Sequence, residues 1–407
     1  ASIEGKDGVF YRVQADLRLQ HPMSDIVVDQ LAELSRVLAE HGTTLVYVNV
    51  PTKGQAMPGY LPREAKSYGY DPEVMQANYL DVVGRLNAAG VLAPDLMTAM
   101  LKAGPEEKVF FPADFHWTPT GARLAAEAIG AAIRAHPAYE GVTPLTFTSQ
   151  EGAPETAFSG LRRELQTFCK ETLPPVEAVT WSTTQSVSDA EDGAATDGAL
   201  DIFGTGDEGA SLVLVGTSFS DSSINNFAGF LSEFTGIETT NTSITGGNQF
   251  GAMTSYLTSR EFAERRPTFL VWENPIYNSL AQFGPMPMDE LIVAAGAPCD
   301  IDTGAAVEDG AVTAHFAAGA LKPSDAFLFD HGSEGARVAT VTLTSEDGLS
   351  RSIRIERSDR LRPTGRFFLR LEPFWSPNLT QVSVSFDRPL GDTSSLTLCP
   401  PQKGDAS

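Results

Sequence analysis

The chain has few cysteines, few basic residues and no long apolar run. Its three cysteines among 407 residues, Cys169, Cys299 and Cys399, lack the close spacing of a metal site, and no metal is expected. No apolar stretch approaches the roughly 20 residues needed to span a bilayer. Lys and Arg number 29 against 52 Asp and Glu, leaving a net charge of −23. Binding to nucleic acid or to an anionic membrane needs clustered Lys and Arg, so the mean field argues against both. An anionic ligand would need a local basic patch. The sequence starts at Ala1 with neither an initiator Met nor an apolar leader. Either a leader was removed or the start was trimmed, and both remain open from the sequence.

What is present points to two domains. A length of 407 residues is long for one core, and 42% hydrophobic residues suffice to build real ones. From Asp25 to Ala39 an apolar stripe recurs at helical spacing, and Thr43 to Val50 then reads as a buried strand closed by Pro51. A helix is predicted from Thr118 to Ala135, with Thr118 as cap and Pro119 in its first turn. Strands are predicted at Leu212–Val215 and Thr268–Trp272, with a helix between them from about Ser222. This alternation predicts an open, mostly parallel α/β sheet with flanking helices. Residues 184–210, rich in Asp, Glu, Gly and Ser, read as a long excursion, either a lid or a solvated insertion.

After Pro285 and Pro287 the pattern changes to short alternating runs such as Val338–Leu343, Phe367–Leu371 and Val382–Phe386. That predicts a small antiparallel β-sandwich, with domains at 1–285 and 290–407. Cys299 and Cys399 stand near the two ends of this second domain. A disulfide between them would staple those ends and imply an oxidising compartment; two unrelated thiols are the plainer alternative. Cys169 is left over.

Two short motifs carry chemistry. Asp114-Phe115-His116-Trp117-Thr118 directly precedes the Thr118 helix, where open α/β sheets place their sites. An Asp two residues before a His can accept the imidazole N–H and fix its tautomer. Alone, an Asp-x-His is more often a surface turn. Gly216-Thr217-Ser218-Phe219-Ser220 follows the strand Leu212–Val215, and such a Gly-led turn would expose Ser218 beside a helix start. An ordinary Ser or Thr cap is the rival reading there. Together, both motifs fall at strand exits of one predicted sheet and can converge.

These residues resemble a known family. Asp114-Phe115-His116-Trp117-Thr118 is similar to the Asp-x-His-Trp-Thr signature of the AlgX/AlgJ family of bacterial polysaccharide O-acetyltransferases, and Gly216-Thr217-Ser218 resembles its Gly-x-Ser turn. Val50-Pro51-Thr52-Lys53-Gly54 and Val271-Trp272-Glu273-Asn274-Pro275 resemble two further strand exits of that family. The matches span about residues 10–280, and a following β-domain fits the AlgX branch. The resemblance implies a permuted SGNH-hydrolase-like fold in which Asp and His precede Ser. It assigns Ser218 as nucleophile and acetyl carrier, His116 as general base and acid, and Asp114 as its orienter. It also implies a periplasmic protein and membrane or periplasmic partners that supply the acetyl group. No bound cofactor is expected, and the chain is taken as a monomer.

Oxyanion-hole candidates are the Ser218 amide, Gly246, Gly247, Asn248 and Asn274, with a plain turn as the rival reading of the Gly pair. In the C-terminal domain Arg351, Arg354, Arg362, Arg366 and Arg370, with Trp375 as a stacking surface, are candidates for holding an anionic polysaccharide such as alginate. The plainer reading pairs these arginines with the protein's own acids. Two rival functions remain from the sequence: a secreted carbohydrate esterase using the same triad, and a non-catalytic polysaccharide-binding scaffold.

Overall fold

The computed structural model describes residues 1–19, 21–104, 106–186, 210–296 and 298–400. Its centre is a four-stranded parallel sheet in the spatial order Thr44–Val50, Phe269–Pro275, Leu212–Val215, Thr239–Asn241. All four strands therefore end on one side, which is where a site built from strand exits must lie.

Side chains alternate across the sheet, and each face has its own core. Leu45, Tyr47, Val213, Val215, Leu270 and Trp272 face the helices Asp25–Glu40, Gly251–Leu257 and Met286–Ala295. Val46, Val48, Leu212, Leu214, Phe269 and Val271 face the helices Pro119–Ala135 and Phe227–Thr235. A sheet covered on both faces explains why these strands read as near-continuous apolar runs. Thr118 caps its helix as predicted, accepting from the Gly121 amide with Pro119 behind it, and the structure adds a cap at Ser24, which accepts from the Val27 amide.

Between the helix Pro119–Ala135 and the strand Leu212–Val215 the chain makes a two-stranded antiparallel ribbon, Phe147–Ala157 with Val176–Gln185. The short helix Gly160–Gln166 joins its strands. The acidic excursion read from the sequence falls mostly on residues 187–209, which lie outside the described residues.

The C-terminal region is antiparallel. A five-stranded sheet runs Ala306–Glu308, Ala311–His315, Leu379–Phe386, Val338–Ser345, Ser350–Glu356. A four-stranded sheet runs Arg366–Arg370, Ala326–Asp330, Ser395–Cys399, Ile301–Asp302. They share a core in which Phe327, Phe329 and Phe367 meet Val341, Val382 and Val384. Cys299 and Cys399 are joined in a disulfide, and Cys169 is a free thiol.

The helix Met286–Ala295 occupies the stretch where the sequence reading sets its domain boundary. It is buried on both sides, against the helix Asp25–Glu40 and against the outer face of the smaller β-sheet through Leu328 and Phe368. Charges are buried in the same seam. Arg357 donates to Glu290 at 2.5 Å, their side chains only 7% and 8% exposed. The same Glu290 oxygen accepts from the Phe368 amide at 3.1 Å. Removing one member of such a pair strands the other in a dry interface, at a cost of about 3–5 kcal/mol. Arg357→Met should lower unfolding stability by that order in chemical denaturation. Adding Glu290→Gln to it should recover part of the loss, because the second charge is then gone while an acceptor for Phe368 stays.

Candidate active site

Three strand exits and one loop build the site. The loop 110–117 is closed by an antiparallel bridge between Phe110 and Trp117 and by the Phe111 amide donating to the His116 carbonyl at 3.1 Å. Within it Asp114 Oδ1 receives two bonds from His116, one from the backbone N–H at 2.8 Å and one from the ring Nδ1 at 2.6 Å. The other ring nitrogen, Nε2, lies 2.8 Å from Ser218 Oγ. A contact across 102 residues of sequence thus joins the two motifs. Burial alone would raise the Asp114 pKa, but the bonds and charge of His116 outweigh it and hold the carboxyl below its ordinary range. With Nδ1–H held by a carboxylate, Nε2 is the nitrogen left to take a proton from Ser218.

Beneath the loop, Trp117 is fully buried and its indole N–H donates to the Phe219 carbonyl at 2.9 Å, tying the His loop to the Ser turn. Phe115 lies against the His116 ring with centroids 4.2 Å apart. The Arg12 guanidinium is sandwiched between Phe115 and Tyr277, 4.6 Å from each ring, and is paired with buried Asp16. Ser159 at the start of the helix Gly160–Gln166 donates to the Ala113 carbonyl, bracing the loop from outside.

Ser218 opens the short helix Ser218–Asp221, one residue past the turn at Gly216 and Thr217. Under that turn sits Glu273, fully buried at the end of the central strand. It accepts from the Thr217 amide at 2.8 Å, the Thr217 hydroxyl at 3.1 Å and the Ser220 hydroxyl at 2.8 Å. A Cβ on residue 216 would stand 2.4 Å from the Glu273 carboxylate, so only glycine lets the turn approach this close. The sequence flags Glu273 only as part of a similar segment. A carboxylate inside an otherwise apolar buried strand is the signal that marks it as a support for the turn.

The other predicted oxyanion donors fare unequally. Asn274 follows Glu273 and so faces the opposite side of the sheet, where it donates to Tyr47 Oη at 3.1 Å and to the Asn278 carbonyl at 3.0 Å. Strand alternation removes it from the site. The Gly247 amide donates to the Ile244 carbonyl and is spent in closing its own turn, and the Asn248 side-chain oxygen accepts from the Phe250 amide in the same turn. Gly246 lies against Arg360 of the β-region. That turn nonetheless touches the site: the Ile244 amide donates to the Gly216 carbonyl and the Thr245 amide to Asp221. The Ser218 amide keeps its place at the first turn of its helix.

The arginines also divide. Arg366 is nearly buried, beside Asp330 and donating to the Ser259 carbonyl at 3.0 Å, and Arg370 pairs with Glu33 at 2.5 Å. Both stitch the β-region to the parallel-sheet region and are not presented to a polymer. Arg351, Arg354 and Arg362 are exposed. Arg354 pairs with Glu356 at 3.1 Å, while Arg351 lies over the Phe374 ring at 4.8 Å. Strand alternation puts those two on opposite faces. Trp375 is half-buried against the sandwich core, its indole N–H taken by the Leu321 carbonyl. Between the two regions opens a cavity of about 470 Å³, whose lining includes Asn248, Phe283, Arg354, Phe374 and Glu290.

A Ser-His-Asp constellation at the carboxyl end of a parallel sheet, with Asp and His earlier in the chain than Ser, defines a permuted SGNH-hydrolase-like protein. The family model described as "SGNH hydrolase-like domain, acetyltransferase AlgX" matches residues 3–276, and the chain belongs to that family. It is similar to the alginate biosynthesis protein AlgX of Pseudomonas aeruginosa, 31% identical over 286 residues, which cover 69% of this chain and 56% of AlgX. It is also similar to the probable alginate O-acetylase AlgJ of the same organism, 30% identical over 244 residues, 60% of this chain and 61% of AlgJ. The chain thus spans little more than half the length of these relatives in the matched parts. The solved structure of P. aeruginosa AlgX superposes with a TM-score of 0.81 at 22% identity, covering 98% of this chain and 94% of that one, a likeness of fold that takes in both sheet systems.

Burial pushes the Glu273 carboxyl above its ordinary range, although its three donors pull the other way. A carboxyl raised on folding adds stability that is fully present below its unfolded pKa of about 4.3 and is lost as pH rises through the folded value. Wild type should therefore lose stability relative to Glu273→Gln as pH climbs from about 4 toward neutrality. Denaturation curves of the two proteins at about pH 4, 5.5 and 7 check this; a constant difference would contradict it.

Proposed function

We propose that the chain transfers acetyl groups to hydroxyls of an anionic exopolysaccharide, most specifically the mannuronate residues of alginate, through an acetyl-Ser218 intermediate. One observation carries the reading: His116 bridges Asp114 and Ser218 with bonds of 2.6 and 2.8 Å. The AlgX and AlgJ relatives support the choice of acetyl group and polymer. In the first step Ser218 Oγ attacks the acetyl carbonyl while Nε2 of His116 takes its proton. The Ser218 amide faces the developing oxyanion, and the imidazolium returns the proton to the departing group. In the second step a sugar hydroxyl gives its proton to Nε2 and attacks the acetyl carbon, and Ser218 leaves as the alkoxide that recovers that proton. Asp114 stays ionised throughout, its depressed pKa favouring the imidazolium.

The acetyl group comes from a donor outside this chain, and no bound cofactor is invoked. The disulfide suits a periplasmic setting, and among the described residues no helix is long and apolar enough to cross a membrane. A membrane or periplasmic partner then supplies the donor. The division at 1–285 and 290–407 assigns catalysis to the first part and polymer holding to the second.

Mass spectrometry of mannuronate oligomers incubated with an activated acetyl ester tests the transfer. Acetylated oligomer is expected with wild type, and Ser218→Ala should lose at least about 1,000-fold in rate. Ester hydrolysis without oligomer acetylation would favour the esterase reading, and neither activity the scaffold reading. For polymer holding, the exposed arginines are the ones to change. Arg351→Ala, Arg354→Ala and Arg362→Ala combined should weaken retention on a polymannuronate gel, most at low salt, with unfolding stability within about 1 kcal/mol of wild type. Arg366→Ala should instead cost stability. Undiminished retention in the triple variant would remove polymer holding from these arginines.

A further inference from the structure

Lys53 is the most deeply buried cation of the parallel-sheet region, 1% exposed, and the triad chemistry does not use it. It follows the exit of the strand Thr44–Val50 and opens a helical turn set by a Thr52–Gln55 capping box, so its backbone is fixed from both sides. Its ammonium lies against four backbone carbonyls: Phe10 at 2.9 Å, Phe111 at 2.7 Å, Pro112 at 3.2 Å and Asp114 at 2.5 Å. Three of the four come from the few residues that precede His116. A lysine ammonium has three donors and no acceptor, so this crown of carbonyls uses its whole capacity.

The geometry of the loop says what the crown does. Carbonyls of Phe111, Pro112 and Asp114 converge on one point, an arrangement that a positive charge at that point favours. The Asp114 carbonyl held by Lys53 belongs to the residue whose carboxylate orients His116. We propose that Lys53 is a positioning residue for the catalytic base: its buried ammonium gathers these carbonyls and thereby sets where Asp114 and His116 stand relative to Ser218. This rests on the triad reading above. The fourth carbonyl, from Phe10, ties the N-terminal pair of antiparallel strands, Ser2–Glu4 and Phe10–Arg12, to the same point, next to Arg12 and its ring sandwich.

The groups facing Lys53 are Asp16, Asp114 and Arg12, with the Tyr70 phenol packed against neighbouring Gly54. Asp16 is itself paired with Arg12. Burial pushes the Lys53 pKa down to about 8, against the pull of the two aspartates. The sign is informative. A lysine whose pKa falls on folding burdens the folded state while it is charged, so folding stability rises from pH of about 8 toward the unfolded value of about 10.4. Over the same range the crown loses its charge and catalysis should fall. A residue that merely supported the fold would give the same rise in stability and leave the rate of the folded protein unchanged.

The test is the single-turnover rate of Ser218 acylation by an activated acetyl ester, across about pH 6–10, in wild type, Lys53→Met and Lys53→Arg. In a Lys53→Met variant with native near-UV circular dichroism, the maximal rate should fall about 100-fold, as displacements near 1 Å commonly cause. The ester concentration giving half-maximal rate should stay unchanged. The wild-type rate should decline as pH passes about 8 while the protein stays folded, and Lys53→Arg should restore part of the rate and keep it at high pH. A folded Lys53→Met variant acylated at the wild-type rate, or slowed only through its half-saturation value, would overturn the proposal. If that variant does not fold, a wild-type rate that holds steady through pH 8–10 overturns it, and a decline there supports it. Wild type that never carries acetyl on Ser218 would sink the triad reading instead, a result distinct from any of these.

Discussion

The site depends on two buried charges that hold backbone and polar turns in place of substrate. Glu273, at the end of the central strand, collects three donors from the Ser218 turn. Lys53, just past the exit of the neighbouring strand, collects carbonyls from the His116 loop. Each would be costly alone in a dry core, and each is made tolerable by the groups that it orders. The parallel sheet sets the strand exits side by side. The two charges convert that coarse adjacency into contacts of hydrogen-bond length.

Trp117 makes the link between the two supported parts. Its ring packs among Phe219 and Phe227 while its N–H bonds Phe219, so the loop and the turn share one apolar floor. The β-region is joined just as firmly. Its smaller sheet uses one face for its own core and the other for the helix Met286–Ala295, and the Glu290–Arg357 pair lies in that seam. The turn 244–248 runs from the Ser218 turn to the edge of the interdomain cavity.

Much of this was legible in the sequence. Apolar runs gave the buried parallel strands, capping residues gave the helix Pro119–Ala135, and alternation gave the antiparallel sheets. Asp114, His116 and Ser218 are legible from their motifs, and the structure brings the three together. Only the Ser218 turn leaves a sheet strand, however; the loop of Asp114 and His116 is closed by the isolated bridge between Phe110 and Trp117 and not by the strand that the sequence predicts. The failures have physical causes. Asn274 reads as an oxyanion candidate because it lies in a segment similar to the family's, but one step along a strand from Glu273 puts it on the other face. Arg366 and Arg370 looked available in a cluster because the acids that claim them, Asp330 and Glu33, are distant in the chain. Lys53 and Glu273 both stand inside the motifs, but Lys53 works on backbone carbonyls, which no side-chain pattern reveals. Glu273 works on the Thr217 amide and the Thr217 and Ser220 hydroxyls of a turn far away in the chain.

The most direct measurement is a pulse and chase on the protein itself. Wild type is briefly exposed to an activated acetyl ester, the acetylated peptide is located by mass spectrometry, and mannuronate oligomer or buffer is then added. The account predicts acetyl on Ser218, released onto the oligomer much faster than into water. Acetyl found on another residue, or lost equally fast without the oligomer, would contradict it.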